Sequence, residues 1–238
     1  DTLPHKANIQ GDRVGYLIGG DRVEDKELWA KENGLSFRID WLRGQKTGFF
    51  IDQRDNRALL EQYAKDKDVL NMFCYTGGFS VYALRGGAKK VHSVDVSQKA
   101  VDLVRSNVAY NFGEDAPHEA FAEEAFEFMT KNTNTYDLMI VDPPAFAKHR
   151  DAVKNALRGY QRLNAKGIQS IRPGGILFTF SCSQAIDKDM FRLAVFSAAA
   201  QVGRKVRILH QLHQPADHPI NIYHPEGEYL KGLVLQIE

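Results

Sequence analysis

Residues 68–83 read DVLNMFCYTGGFSVYA, an apolar run that passes through the turn residues Thr76, Gly77 and Gly78 into a helical pattern. The apolar run favours a buried strand, and glycine lets backbone approach a ligand without a Cβ in the way. The amides at the start of the helix favour a carboxylate or phosphate. The stretch therefore predicts a strand, a ligand-binding turn and a helix in succession.

The same alternation continues along the chain. Short apolar runs occur at 68–73, 90–96, 119–122, 136–142 and 174–181, and helical stretches separate them. Strands that alternate with helices are typical of a parallel sheet with helices on both faces. We predict an α/β fold with a Rossmann-like, doubly wound and mostly parallel sheet.

The segment before this alternation has a different pattern. VGYLIGG, LSFRIDWL and TGFFID, within residues 14–51, have the composition of strands, and EDKELWAKEN, which ends at Gly34, is the one helical stretch. The predicted organisation is a small β-rich unit over residues 1–44 and the α/β domain over residues 45–238.

Composition narrows the class of protein. The 238 residues are 43% apolar and 26% charged, which suits one substantial core. No run of about 18 apolar residues predicts a membrane span, and the start DTLPHKANIQ resembles no signal peptide. Two cysteines in such a chain favour a reducing compartment, so we predict a cytoplasmic protein. Because the start also lacks an initiator Met, we expect a piece of a longer protein.

Positive charge is concentrated locally, although the formal net charge is only +1. Between residues 141 and 175 the only acidic residues are Asp142 and Asp151, and four of the basic residues are spaced by four, along one helical face. A solvated helix and a phosphate-tracking surface explain this pattern equally well. The basic residues are Lys148, Arg150, Lys154, Arg158, Arg162, Lys166 and Arg172.

The second predicted strand ends at Asp95, 18 residues after Gly77. An acidic side chain there can accept hydrogen bonds from both ribose hydroxyls of a nucleoside cofactor, either NAD or S-adenosylmethionine. CYTGGFS lacks the G-x-G-x-x-G register, so the nicotinamide dehydrogenase is the weaker alternative. After the third strand, Glu124 with Ala125 could meet an adenine amino group, or Glu124 could simply begin a helix.

The fourth and fifth strands end in the residues with the clearest chemistry. Asp142 precedes two prolines that impose an extended, rigid backbone, and Cys182 lies between two serines. Neighbouring strands would bring Asp142 and Cys182 to one rim. Thiolate addition at carbon 6 of a cytosine makes carbon 5 nucleophilic, and a carboxyl group stabilises the adduct. The alternative for Cys182 is a small buried hydrophobe, which is our interpretation of Cys74.

Six segments together resemble the bacterial 23S ribosomal RNA 5-methylcytosine methyltransferases of the RlmI type. They are TGFFIDQRDNR, LNMFCYTGGFSVYA, SVDVS, DPPAF, FTFSCS and DHPINIYHPEGEYLKGLVL, and the resemblance spans about residues 45–238. The resemblance implies a class I S-adenosylmethionine-dependent methyltransferase fold whose sheet ends in an antiparallel pair. It also implies large-subunit ribosomal RNA as partner, and an RNA-binding PUA domain upstream.

The resemblance further assigns roles to residues of this chain. Cys182 would be the catalytic cysteine, and Asp142, Pro143 and Pro144 would border the methyl group and the target base. Arg54, with Gln53, would reach the methionine end of the cofactor, although Arg54 and Arg57 could equally meet RNA phosphates. The other implied cofactor residues are Phe73, Tyr75, Thr76 and Gly77 along the cofactor, Asp95, Val96 and Ser97 at the ribose, and Glu124 and Ala125 at the adenine.

Other functions stay open at this stage. A methyltransferase acting on a guanine ring nitrogen would use the same cofactor pocket without a thiol, and a non-catalytic RNA-binding module would need neither. Four histidines, His210, His213, His218 and His224, invite a metal site, but no cysteine or dense carboxylate set accompanies them, so no metal is predicted. No membrane partner is predicted, and whether the chain forms a homodimer is left open.

Overall fold

The computed structural model describes residues 28–40, 44, 48–147, 150–224 and 227–238. The strands are β1 (Leu28–Glu32), β2 (Leu35–Ile39), β3 (Asp68–Met72), β4 (Lys90–Asp95), β5 (His118–Ala122), β6 (Leu138–Val141), β7 (Ile176–Ser181), β8 (Val206–His213) and β9 (Lys231–Ile237). The helices are α1 (Arg54–Tyr63), α2 (Gly78–Arg85), α3 (Gln98–Phe112), α4 (Ala125–Lys131), α5 (Val153–Ser170) and α6 (Lys188–Val202), with short 3₁₀ helices at Ile51–Gln53 and Arg150–Ala152.

Seven strands form the central sheet in the order β5-β4-β3-β6-β7-β9-β8. Strands β3 to β7 pair in parallel, and β9 pairs antiparallel with both β7 and β8. The predicted parallel sheet and its antiparallel end are therefore confirmed. The strand order reverses between β3 and β6, which is where a doubly wound sheet binds its ligand.

All five predicted apolar runs overlap a strand of this sheet, namely β3 to β7, although the edge strand β5 leaves two of its residues exposed. The inner strands β3 and β6 are buried because helices cover both faces: their residues contribute to two separate hydrophobic clusters, one on each side. Buried parallel strands of this kind have near-continuous apolar sequences, which explains why they could be predicted.

The helix predicted for EDKELWAKEN is wrong over its described part, because Leu28–Glu32 forms strand β1. β1 pairs with β2 across Asn33 and Gly34, whose φ values of 49° and 84° are those of a type I′ hairpin turn. The Asn-Gly dipeptide was the signal for this hairpin. TGFFID is not a strand in its described part either, since Ile51–Gln53 is a 3₁₀ helix, and VGYLIGG lies outside the described residues.

The hairpin packs on the α/β core through β2. Phe37 is buried in one cluster with residues of α2 and α3, and its ring lies 4.7 Å from that of Phe49. Asn107 and Asn111 of α3 accept hydrogen bonds from the backbone of β2. The division of the chain at residue 45 stays a prediction.

None of the helices in the described ranges combines the length and the hydropathy that a membrane crossing requires.

Candidate active site

A cleft of about 280 Å³ opens at the carboxyl ends of β3, β4, β6 and β7. It lies at the point where the strand order reverses, as the sheet topology requires. The predicted site residues that line it are Phe73, Tyr75, Thr76, Asp95, Val96, Glu124, Ala125, Asp142, Pro143, Pro144 and Cys182, together with Gln53.

The turn after β3 has a strained backbone. Phe73 and Tyr75 have φ values of 58° and 46°, a left-handed conformation that is uncommon for residues other than glycine. The turn is closed by the hydrogen bond from the Gly77 amide to the Cys74 carbonyl, 2.8 Å, and the Cys74 amide donates to Val94 of β4. Strain of this kind is kept where the surrounding structure holds it, commonly at ligand sites.

Asp95 organises the next side of the cleft. One of its carboxylate oxygens accepts from the Tyr75 amide at 3.1 Å and the other from the Ser97 amide at 3.0 Å. A carboxylate has about four acceptor positions, so both oxygens keep capacity for ribose hydroxyls. The two backbone contacts hold the carboxylate in an orientation that is compatible with the predicted ribose contacts.

Glu124 begins a helix and also lines the cleft, so its predicted contact with the adenine stays a prediction. Its side chain caps α4 by accepting from the Glu127 amide at 3.0 Å, and the same residue lines the cleft with Ala125. Val96, whose exposed fraction is 74%, offers an apolar face at the neighbouring wall. The cleft thus fits S-adenosylmethionine: it presents a carboxylate for the ribose and apolar surface for the adenine.

The wall beside the glycine turn comes from the segment before α1 and from Arg57 in α1, whose side chain lies against Gly78. Phe49, Phe50, Asp52 and Arg57 line the cleft together with Gln53, and the Phe50 ring packs edge-on against Tyr75 at 5.4 Å. The aromatic pair was missed because TGFFID was interpreted as a strand. The run of two phenylalanines before a polar DQR was the available signal.

Gln53 connects this wall to Asp142. Its side-chain amide donates to one oxygen of Asp142 at 2.9 Å, while its own carbonyl oxygen accepts from Asn56 at 2.7 Å. The second bond fixes which end of the amide faces Asp142. Gln53 is therefore placed to orient the Asp142 carboxyl group, a contact that the sequence did not predict.

Three predicted cofactor residues lie outside the cleft lining. The prediction for Arg54 is corrected: its guanidinium bonds to Asp217 and Asp55, away from the cleft. Ser97 caps α3 and contacts Asp95 through its amide only. Gly77 lies behind the lining, where an added Cβ would come within 1.9 Å of Val104.

Cys182 follows β7 and is half-buried at the cleft, whereas Ser183 next to it is fully buried. The Ser183 hydroxyl accepts from the Ala147 amide at 3.2 Å and lies 2.9 Å from the Tyr160 hydroxyl. Ala147 lies at the end of the described segment that begins with Asp142. Ser183 therefore links the segment that carries Asp142 to the backbone next to Cys182. β6 and β7 are neighbours, as predicted.

Cys74 also lines the cleft, but its environment is that of a packing residue. It is buried among apolar side chains of β2, α2 and α3, and burial raises the pKa of its thiol well above the ordinary value, with the nearby Asp95 carboxylate adding to the effect. A thiol of this kind stays protonated and unreactive at neutral pH.

The basic residues fall into two groups. Lys154, Arg158 and Arg162 are exposed on α5, with Lys166 half-buried further along the same face. Arg172 does not belong to this surface, because it pairs with Asp68 and Asp137 at the amino ends of β3 and β6, opposite the cleft. Lys148 and the Arg150 side chain lie outside the described residues.

Among the described residues no three His, Cys, Asp or Glu side chains come together as a metal-binding group. His210 instead bonds to the Tyr63 hydroxyl at 2.7 Å, and His213 to the Gln214 carbonyl.

Two relatives are similar over most of the chain, and both are named ribosomal RNA large subunit methyltransferase I. The one from Alteromonas mediterranea is 44% identical over 214 residues, which cover 89% of this chain and 54% of the relative. The one from Tolumonas auensis is 41% identical over 239 residues, 99% of this chain and 60% of the relative. The chain therefore spans less than two thirds of the length of these relatives.

A solved structure supports the fold. The crystal structure of SMU.776 in complex with SAH superposes with a TM-score of 0.82 at 27% identity, over 93% of this chain and 58% of that one. The sequence model of the S-adenosylmethionine-dependent methyltransferases matches residues 6–229. The chain therefore belongs to the S-adenosylmethionine-dependent methyltransferase family.

Proposed function

We propose that this chain transfers a methyl group from S-adenosylmethionine to carbon 5 of a cytosine in large-subunit (23S) ribosomal RNA, through a covalent adduct with Cys182. The observation that carries the proposal is the presence of Cys182 and Asp142 at the ends of neighbouring strands, in one cleft with the ribose-binding candidate Asp95. The names of the two relatives favour ribosomal RNA as the substrate.

The thiol is needed because carbon 5 of cytosine is a poor nucleophile. The Cys182 thiolate adds to carbon 6, and the electrons of the carbon 5–carbon 6 double bond make carbon 5 nucleophilic. S-adenosylmethionine supplies an electrophilic methyl group on a sulfonium. After methylation a base removes the proton from carbon 5, the double bond forms again, and the carbon–sulfur bond to Cys182 breaks.

Asp142 acts on the other edge of the base. A carboxyl group that hydrogen-bonds the ring nitrogen and the amino group stabilises the charge that develops in the adduct. Gln53 would orient this carboxyl group, and Pro143 with Pro144 would keep the segment extended beside the base. The exposed basic face of α5 is the proposed track for RNA phosphates.

A methyltransferase acting on a guanine ring nitrogen would leave Cys182 without a chemical role, since that nitrogen is already nucleophilic. A non-catalytic RNA-binding module would not need the carboxylates of Asp95 and Asp142 in the cleft. Cytoplasmic location stays a prediction, and the homodimer stays open.

The covalent step can be tested with large-subunit RNA that carries 5-fluorocytidine. Fluorine at carbon 5 cannot leave as a proton does, so the methylated adduct is trapped on the protein. We expect a stable adduct carrying labelled methyl with the native chain and with Cys74→Ala, and none with Cys182→Ala. An adduct that survives Cys182→Ala would contradict the assignment of the nucleophile.

A further inference from the structure

A buried cation lies behind Cys182. Lys231 has an exposed fraction of only 5% and begins β9, where it pairs with Ser181, the residue before Cys182. It does not line the cleft, so it is not positioned to touch a substrate. The antiparallel register of β7 and β9 therefore brings a lysine beside the cysteine without making it part of the binding surface.

The ammonium group of Lys231 donates hydrogen bonds to two backbone carbonyl groups. It donates to the Ser183 carbonyl at 2.7 Å and to the Tyr229 carbonyl at 2.8 Å. Ser183 follows Cys182 directly, so this bond fixes the backbone that carries the thiol. Tyr229 in turn donates to Asp52 at 2.6 Å, which ties the same lysine to the cleft wall.

Two carbonyl partners do not explain why the chain buries a full charge here. Removing an ammonium group from water costs several kcal/mol, and neutral carbonyls offset only part of that cost. The ionisable groups that act on Lys231 are the thiol of Cys182 and the carboxylates of Asp187 and Glu228.

Burial lowers the pKa of Lys231 to about 8, and the negative charges of Cys182, Asp187 and Glu228 act in the opposite direction. The group is thus mostly charged at neutral pH. Glu228 is also paired with Lys188, which partly neutralises it. The thiolate of Cys182 is the first of the opposing charges and the one that the proposed reaction requires.

We propose that Lys231 is a positioning residue, which holds the Cys182 backbone in place and stabilises its thiolate by charge from behind the cleft. This inference rests on the proposed role of Cys182 as the nucleophile. Attraction by a nearby cation raises the thiolate fraction at a given pH, and the thiolate is the reactive form.

The test is the pH dependence of Cys182 alkylation by iodoacetamide, read by peptide mass spectrometry so that Cys74 is counted separately. Lys231→Gln keeps a hydrogen-bond donor and removes the charge. We expect it to move the alkylation midpoint of Cys182 upward by about one pH unit, or about tenfold slower alkylation near pH 7. Lys231→Arg keeps the charge, and Lys89→Gln removes an exposed charge just before β4, at the end of the sheet opposite the cleft. Both should keep the native midpoint.

A native midpoint in a folded Lys231→Gln variant would overturn the proposal. If that variant does not fold, a second measurement replaces it, because coupling between two titrating groups is reciprocal. Nuclear magnetic resonance of labelled lysine should show Lys231 titrating at lower pH in Cys182→Ser than in the native chain. Equal titration in the two chains would also overturn it.

Neither measurement needs RNA or S-adenosylmethionine, so their outcome is separate from that of the methyl-transfer experiments. If Lys231→Gln leaves the alkylation midpoint of Cys182 unchanged while methyl transfer still depends on Cys182, only the proposed role of Lys231 is rejected. Methyl transfer that is indifferent to Cys182 would reject the proposed function whatever the thiol titration shows.

Discussion

Asp95 is the residue whose predicted role at the ribose rests most directly on its place in the sequence, at the end of the strand after the glycine turn. Its bond to the Ser97 amide is local, whereas its bond to the Tyr75 amide could not be predicted, because it depends on the left-handed turn after β3. Cys182 is similar: its place after a strand was readable, but the bonds that anchor Ser183 come from segments far away in the chain.

We expect Asp95→Ala to weaken S-adenosylmethionine binding by about ten- to a hundredfold, since hydrogen bonds to a charged group contribute about 1.5–3 kcal/mol. Titration calorimetry measures the affinity directly. Asp102→Ala, which removes an exposed carboxylate of α3 outside the cleft, is the matched control and should bind normally. Equal affinity in Asp95→Ala and the native chain would remove Asp95 from the cofactor site.

Gly77 has a left-handed φ of 78°, and a Cβ there would lie 1.9 Å from Val104. Gly77→Ala should therefore lower the free energy of unfolding by about 2–4 kcal/mol, the sum of the dihedral cost and the overpacking. Gly87 has a similar φ of 83° but no atom nearer than 3.8 Å, so Gly87→Ala should cost only about 1 kcal/mol. Urea unfolding of the two variants compares them, and equal losses would contradict the role of Val104.

At the scale of elements, the parallel strands were predictable and the hairpin was not. Apolar runs identify buried strands, whereas β1 has mostly exposed residues and its sequence LWAKE carries no alternation. What makes it a strand is the Asn-Gly turn and the pairing with β2, whose Phe37 side is buried. Tertiary contacts therefore override the helical composition of this segment.

The hairpin is joined to α1 by a largely buried ion pair. Arg57 donates to both oxygens of Glu32, at 2.9 and 2.7 Å, and to the Phe50 carbonyl at 2.9 Å. Arg57→Gln should lower the free energy of unfolding by about 3–5 kcal/mol, because it leaves the Glu32 carboxylate buried without its partner. Lys131→Gln, which breaks an exposed pair with Glu123, should cost less than about 1 kcal/mol. Denaturant unfolding measures the loss in each variant. Equal losses in Arg57→Gln and Lys131→Gln would contradict the stabilising role of the buried Arg57–Glu32 pair.

For the whole molecule, the mostly parallel sheet, its antiparallel end and the position of the cleft followed from the alternation of strands and helices, together with the family resemblance. The strand order was not predicted beyond the pairing of the fourth and fifth strands. The charge distribution followed less well, since Arg172 shares the basic segment in sequence but lies at the opposite end of the sheet. Closeness in sequence does not tell whether a residue lies at the amino or the carboxyl end of the sheet, and the cleft opens at the carboxyl end. The cleft wall formed by Phe49 and Phe50 was also not predicted, because Phe50 packs against Tyr75, which lies in another segment of the chain.

The stability of the fold in acid depends on a partly buried histidine of β5, His118. Burial lowers the pKa of His118 to about 4, with the charges of His92 and Arg105 contributing, and its ring lies 2.8 Å from the Ser93 hydroxyl. In the unfolded chain the same histidine binds a proton near pH 6.5. The neutral His118 ring therefore makes its full contribution to the free energy of unfolding above pH 6.5, and this contribution is lost as the pH falls toward 4. It amounts to at most ~3 kcal/mol.

We expect His118→Gln to flatten the pH dependence of the free energy of unfolding between pH 6.5 and 4. Urea unfolding of the variant and of the native chain at several pH values measures this dependence. The same slope in His118→Gln as in the native chain would place the acid sensitivity elsewhere.

The proposed function requires Cys182 as the nucleophile in methyl transfer to carbon 5 of cytosine. Transfer of labelled methyl to unmodified large-subunit RNA tests this requirement, with the product nucleoside identified by mass spectrometry. We expect 5-methylcytidine with the native chain and with Cys74→Ala, and a loss of roughly a thousandfold or more with Cys182→Ala. A methylated guanosine, or 5-methylcytidine formed at the same rate without Cys182, would contradict it.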